Sequence, residues 1–181
     1  MSQAAIFLDR DGVIVESRSA PDGSTPPVSV DDLAVPDGVA AALSALALAG
    51  YCLVVITNQP DVARGSVTRA EVNAINDALR AALPLDAIYA CFHDGSDCDC
   101  RKPRPGMLLA AARDLDLDLG RSWLLGDRWV DIAAGSAAAV RTVLIERAWS
   151  WNPTSAGSPP SGLAPDFVAA NVPEATERIL G

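Results

Sequence analysis

Residues 4–12, "AAIFLDRDG", run through a short apolar stretch and stop abruptly at two aspartates, Asp9 and Asp11, followed by Gly12. A short, nearly unbroken apolar run has no polar face to turn towards water, so it suits a strand covered on both sides, as in a parallel sheet. Four later runs are of the same kind: "YCLVVIT" (51–57), "AIYAC" (87–91), "SWLLGD" (122–127) and "RTVLIE" (141–146). Helical patterns separate them. "GVAAALSALALAG" (38–50) ends at Gly50, a residue suited to a C-terminal cap. "TRAEVNAINDALRAAL" (68–83) opens with Thr68 and Glu71 at capping-box spacing and stops before Pro84. "PGMLLAAARDL" (105–115) starts with a proline that fits a first helical turn. Strands alternating with helices predict an α/β fold: a doubly wound, Rossmann-like three-layer sandwich with a mainly parallel central sheet, formed by residues 1–181 as a single domain. The Pro-, Gly- and Ser-rich segments 20–36 and 152–165 read as loops.

Composition narrows the function. The chain is 50% hydrophobic, yet no apolar run is long enough to span a bilayer. The N-terminus has no basic region and meets Asp9 early, which argues against a secretory signal and for a cytoplasmic protein with reduced thiols. A net charge of −9 disfavours a nucleic-acid partner. It leaves room for a small anionic substrate, because Arg101, Lys102 and Arg104 form a local basic cluster.

Ligands of open α/β sheets sit beyond the carboxyl ends of the strands. The first run delivers Asp9 and Asp11 there; the second, Thr57 and Asn58; the third, a cysteine cluster and then Lys102; the fourth, Asp127 and Asp131. Each motif has a plain reading by itself. Asp-x-Asp-Gly is commonly a turn, Thr-Asn a helix cap, and a lone lysine a solvated charge. Together they suit phosphoryl transfer assisted by a divalent cation. The carboxylates offer hard ligands for Mg²⁺ and a nucleophile, and the lysine and hydroxyl offer partners for phosphate oxygens.

In this order, "DRDGVI", "TNQPDVARG", "CRKPRPGM" and "GDRWVDIAAG" resemble the four motifs of the haloacid-dehalogenase (HAD) superfamily. More narrowly, they resemble its small zinc-containing branch, which includes heptose-bisphosphate and histidinol-phosphate phosphatases. The resemblance runs from about residue 4 to 146. It implies that Asp9 attacks phosphorus and that Asp11 protonates the leaving alcohol and then activates water. It implies that Thr57 and Lys102 hold the phosphoryl oxygens, and that Mg²⁺ is bound by Asp9, the carbonyl of Asp11 and Asp127, with Asp131 in support. Crowding by other carboxylates is the expected means by which Asp11 would hold its proton.

The stretch "CFHDGSDCDC" (91–100) brings together Cys91, His93, Cys98 and Cys100. These are four N/S ligands for a closed tetrahedral zinc site, with Zn²⁺ as a structural ion that pins the loop carrying Arg101 and Lys102. The alternative, three packed cysteines and a satisfied histidine, fits poorly with so polar a loop. Cys52 reads as a core thiol. Residues 13–50 leave no room for a helical cap domain, so a capless, open site is expected.

Candidate substrate contacts are Arg10, Asn58, Arg101 and Arg128, with Arg64 and Arg18 as further charges for a second anionic group. Trp129, Trp149 and Trp151 are candidates for a sugar-binding rim, although packing accounts better for each. Pro60-Asp61 stands where the family has Ser-Gly, and no aromatic residue follows "DRDG" where the heptose phosphatases carry Gly-Tyr. The resemblance implies a Mg²⁺-dependent phosphomonoesterase for a small sugar phosphate, first of all D-glycero-D-manno-heptose 1,7-bisphosphate, losing its 7-phosphate; separately, a monomer is expected. Histidinol-phosphate hydrolysis, polynucleotide 3′-phosphate removal and a non-catalytic zinc-stabilised binding protein are the alternatives.

Overall fold

The computed structural model describes residues 2–20, 23–95 and 97–181. In chain order the elements are β1 (Ala5–Leu8), β2 (Arg18–Ala20), β3 (Gly23–Thr25), α1 (Val39–Leu48), β4 (Cys52–Asn58), α2 (Asp61–Arg64) and α3 (Arg69–Ala82). They continue with β5 (Ala87–Cys91), α4 (Gly106–Leu115), β6 (Trp123–Gly126), α5 (Trp129–Ala137), β7 (Arg141–Ile145), β8 (Phe167–Ala169) and α6 (Val172–Leu180). Six strands make one sheet in the order β5-β4-β1-β6-β7-β8, every neighbouring pair parallel. The chain winds outward from β1 to β4 and β5, then returns to β1's other side for β6, β7 and β8. Its direction therefore reverses beside β1, and a crevice opens at such a switch point.

The unbroken apolar runs follow from this layering. Successive side chains of a strand point to opposite faces. Ile6 and Leu8 pack with Leu43 and Leu46 of α1, Ile75 and Leu79 of α3, and Val172 and Ala175 of α6. Ala5 and Phe7 pack on the other face with Met107, Leu108 and Ala111 of α4 and Ala134 of α5. Both faces of β1 are fully buried. The expected three-layer α/β sandwich is what forms.

The start and stop signals act as expected. Thr68 Oγ1 accepts the Glu71 N–H at 3.2 Å, while the Thr68 N–H donates to Glu71 Oε2 at 2.7 Å, closing the capping box of α3. α1 ends at Leu48, and Gly50 follows with φ +91°. Segment 20–36 is less irregular than its composition implies: β2 and β3 pair antiparallel, and a 3₁₀ turn spans Val30–Asp32. Residues 152–165 contain no helix or strand. No helix among the described residues is long and apolar enough to cross a membrane.

Candidate active site

Asp9 follows β1 directly, and its N–H continues the sheet ladder to the Leu125 carbonyl of β6 at 2.9 Å. That bond ties the end of β1 to the end of β6; Asp127 follows β6 directly, and Asp131 lies in the first turn of α5. Lys102 arrives from the loop after β5 and is buried. Its Nζ lies 2.7 Å from Asp9 Oδ1 and 2.6 Å from Asp131 Oδ1, and it donates to the Ile56 carbonyl of β4 at 3.0 Å. Asn58, at the end of β4, fixes the Lys102 backbone: its amide accepts from the Lys102 N–H and donates to the Lys102 carbonyl, both at 3.1 Å. Thr57 is buried beside it, just beneath the cavity wall that its neighbours Asn58 and Gln59 line.

Oxygen atoms of Asp9, Asp127 and Asp131 come within 4.8 Å of one another, and all three residues are buried. The ammonium of Lys102 contacts two of these three carboxylates and the Arg128 guanidinium acts on Asp127 from farther off, yet burial leaves negative charge costly to hold there. Burial, with the charges of Asp9 and Asp131, pushes the Asp127 carboxyl well above its ordinary range. Asp131 is pushed up to about 6 by burial, against the pull of Lys102. Burial works against the Lys102 cation, but Asp131 and Asp9 outweigh it and raise its pKa. Asp127 Oδ1 is buried with no hydrogen-bond partner among the described residues, while Oδ2 accepts from Trp149 Nε1 at 2.5 Å. Two glycines make room for the carboxylates. A Cβ on Gly12, at φ +92°, would collide with the Asp127 carboxylate, and one on Gly126 would collide with Asp131. An orphaned buried oxygen within an all-oxygen, over-negative cluster fits a hard divalent cation such as Mg²⁺.

Asp11 lies at the cavity edge. Arg10 Nε and Nη2 donate to its Oδ1 and Oδ2 at 2.9 and 3.0 Å, and Gln59 Nε2 donates to Oδ2 at 2.7 Å. The charge facing Asp11 is thus a guanidinium, where crowding by carboxylates was expected. Arg10 itself is fully buried, with Nη1 on Asn76 Oδ1 at 3.1 Å, and is absent from the cavity wall. Its position makes it a holder of Asp11 and leaves it no open face for a substrate.

The cavity above Asp9 measures about 240 Å³. Asp9, Asp11, Asn58, Gln59, Arg64, Arg101, Lys102, Arg128 and Asp131 line it, with Pro26 and the 154–156 segment at the rim. Of the proposed anion readers, Arg64, Arg101 and Arg128 are here; the side chain of Arg18 lies outside the described residues. Arg64 grips Asp94 through two bonds of 2.8 and 2.6 Å. Arg101 donates to the His93 carbonyl at 2.9 Å and to Ser155 Oγ at 2.8 Å, joining the cysteine loop to the 154–156 segment. The three tryptophans are not on the cavity wall. Trp129 and Trp149 are buried, and Trp151 is exposed elsewhere.

Cys91, His93, Cys98 and Cys100 bring their ligand atoms within 4.8 Å of one another. Cys91 Sγ stands 3.0 Å from Cys100 Sγ, 3.7 Å from Cys98 Sγ and 3.5 Å from His93 Nδ1. Ligands of a tetrahedral zinc with bonds of about 2.3 Å lie roughly 3.8 Å apart, so the cluster is of the right size. All four cysteines of the chain are unbridged. Burial and the neighbouring thiols push Cys100 up to about 12, which leaves this group without charge until a cation draws off the proton. The cluster could hold a zinc ion.

Gln59 escaped the sequence reading as a site residue. Its Nε2 donates to both Asp11 Oδ2 and Thr57 Oγ1, at 2.7 and 2.8 Å. Its place directly after Thr57-Asn58, at a strand end, was the available signal.

A family model for HAD-hydrolase-like proteins matches residues 99–175. The D-glycero-beta-D-manno-heptose-1,7-bisphosphate 7-phosphatase of Salmonella typhi is 39% identical over 159 residues, spanning 81% of each chain. The chain belongs to this HAD phosphatase family. The enzyme of the same name from Pasteurella multocida is 37% identical over 155 residues, covering 78% of this chain and 81% of its own. Among solved structures, the D,D-heptose 1,7-bisphosphate phosphatase of B. bronchiseptica, complexed with magnesium and phosphate, superposes with a TM-score of 0.80. It is 32% identical and covers 98% of both chains. This HAD phosphatase thus shares both sequence and fold with enzymes of one activity.

Proposed function

We propose that the chain is a Mg²⁺-dependent phosphomonoesterase that removes the 7-phosphate of D-glycero-β-D-manno-heptose 1,7-bisphosphate. One observation carries the chemistry: the Asp9 carboxylate lies at the base of an open cavity, paired to a buried Lys102 at 2.7 Å and beside two further buried carboxylates. Likeness over four-fifths of the chain to enzymes of that name supports the substrate.

Asp9 supplies an oxygen that bonds to phosphorus as the ester P–O bond breaks, giving an aspartyl-phosphate and releasing the sugar hydroxyl. Asp11 donates the proton that the departing oxygen takes up. It then receives one from the water that attacks the aspartyl-phosphate, freeing inorganic phosphate and restoring Asp9. Arg10 and Gln59, donating to its two oxygens, fix the Asp11 carboxyl at the cavity edge for both steps. Lys102 and Thr57 hold phosphoryl oxygens, Asn58 and Gln59 keep these two groups in place, and Arg101 and Arg128 face the remainder of the substrate. Mg²⁺, held by Asp9, Asp127, Asp131 and the Asp11 carbonyl, would offset the repulsion between carboxylate and phosphate. Zn²⁺ on Cys91, His93, Cys98 and Cys100 would fix the loop that delivers Lys102. Residues 1–181 serve as one domain, acting as a cytoplasmic monomer on a small phosphorylated metabolite, with neither nucleic acid nor membrane as partner.

Asp9→Asn tests the reading. An amide cannot form the acyl-phosphate, so phosphate release should fall by several orders of magnitude with the melting temperature kept. Turnover near the wild-type level would overturn it.

A further inference from the structure

Trp149 is absent from the cavity wall, yet its indole ends on one of the buried carboxylates. Nε1 donates to Asp127 Oδ2 at 2.5 Å, and Gly12, lacking a Cβ, leaves the space that this oxygen needs. Asp127 Oδ1 is buried with no hydrogen-bond partner among the described residues. The two oxygens of one carboxylate are therefore inequivalent: the protein holds one and leaves the other for a cation. The indole is itself anchored. Trp129 N donates to the Ser150 carbonyl at 2.9 Å, Trp129 Nε1 to the Asn152 carbonyl at 3.0 Å, and Arg147 N to Ser150 Oγ at 2.9 Å. The first two bonds tie the chain just after Trp149 to the start of α5, and the third closes the turn that carries Trp149.

We infer that Trp149 is a positioning residue for cation choice: by holding Oδ2, its indole N–H presents Asp127 to a divalent cation through Oδ1 alone and so favours Mg²⁺ over Ca²⁺. Mg²⁺ demands near-octahedral ligands at about 2.0–2.1 Å, whereas the larger Ca²⁺ readily takes both oxygens of a carboxylate at about 2.3–2.6 Å. An oxygen committed to an indole N–H cannot turn to share in the second mode. Without that bond Asp127 can rotate, and the site loses its bias. The inference rests on the Mg²⁺-phosphatase reading and adds a determinant of which ion the site accepts.

The test is calorimetric titration of the metal-stripped, full-length protein with Mg²⁺ and, separately, Ca²⁺, for the wild type, Trp149→Phe and Trp151→Phe. Trp151 is 40% exposed and serves as a control for loss of an indole nearby. Removing an outer-shell partner of a metal ligand typically weakens binding by about tenfold or more, and that loss is expected for Mg²⁺ with Trp149→Phe. Ca²⁺ affinity should stay level or rise, and Trp151→Phe should match the wild type. Equal losses for both ions, or no change in their ratio, overturn the inference. Should Trp149→Phe fail to fold, the wild type decides. Its four tryptophans give four indole N–H resonances, of which one should shift on saturation with Mg²⁺; if none moves, the inference falls. A wild type that binds no Mg²⁺ removes the phosphatase reading as well, whereas normal binding with an unchanged ratio in the variant removes this inference alone.

Discussion

Replacing Lys102 by Met keeps the length and apolar stem of the side chain and deletes only the ammonium. In the structure that ammonium is buried, 2.7 Å from Asp9 and 2.6 Å from Asp131, with a further bond to the Ile56 carbonyl. Removing one partner of a buried pair leaves an uncompensated charge and costs about 3–5 kcal/mol. For a domain of this size each kcal/mol moves the melting temperature by roughly 2–4 °C, so a fall of about 6–20 °C is expected in EDTA. The sign of the pH dependence follows from the carboxylates. With Lys102 gone, Asp127 and Asp131 keep folded-state pKa values raised above their unfolded ones. Their protonated forms therefore favour folding at low pH, and that stability is lost as pH rises through the folded values. The deficit relative to wild type should be larger at pH 8 than at pH 5, and Mg²⁺ should recover part of it by replacing the lost positive charge. Scanning fluorimetry across pH, with EDTA or Mg²⁺, reads all three effects. A variant within about 2 °C of wild type at every pH would refute the view that Lys102 is the counter-charge of the cluster.

In the wild type stripped of metal, Asp131 at about 6 lies above its ordinary value, so its part of the stability is present below pH 4 and lost as pH rises through 6. The gain in melting temperature on adding Mg²⁺ should accordingly be greater at pH 7 than at pH 5, and an equal gain at both would count against the cluster as the binding site. Purified protein should carry zinc at about one ion per chain. Cys98→Ser should lose that zinc, melt lower and turn over more slowly as the Lys102 loop loosens; elemental analysis with thermal melts checks this, and full zinc retention would exclude Cys98 as a ligand. Arg101→Ala should raise the KM for the heptose bisphosphate about tenfold, the loss of one charge-assisted contact, with little effect on a small monophosphate. Steady-state kinetics on both substrates decides, and equal losses would assign Arg101 wholly to bracing the loop through His93 and Ser155.

The sheet and the residues at its carboxyl edge were legible because a buried parallel strand needs unbroken apolar residues, and what interrupts the run at its end must be there for another reason. Asp9, Thr57, Asn58, Asp127 and Asp131 stand out in this way. The far side of the fold was harder to read. β8 has only three residues, Phe167–Ala169, with Val168 exposed, so its apolar run is too short and too weak to mark it. α6 did carry its signals, since Asn171 accepts the Glu174 N–H at 2.9 Å and Pro173 stands in the first turn, but they lay beyond the family motifs. The partners of the site residues were the least visible. Arg10 sits between the two aspartates and reads as a substrate contact by adjacency. Only the packing of α3, which brings Asn76 beneath it, shows the guanidinium turned inward onto Asp11. Trp149 likewise reads as packing until the loop after β7 folds back and sets its one polar atom on Asp127.

Gly12 and Gly126 own no atom that could react, yet a methyl group at either would occupy the space of a carboxylate of the buried cluster. In a survey of all single substitutions these two positions should tolerate change as badly as the nucleophile, and an activity screen alone would count them as catalytic. A lineage could vary them only by moving Asp127 or Asp131 at the same time. Part of what this sequence encodes at its site is therefore excluded volume, written beside the chemistry.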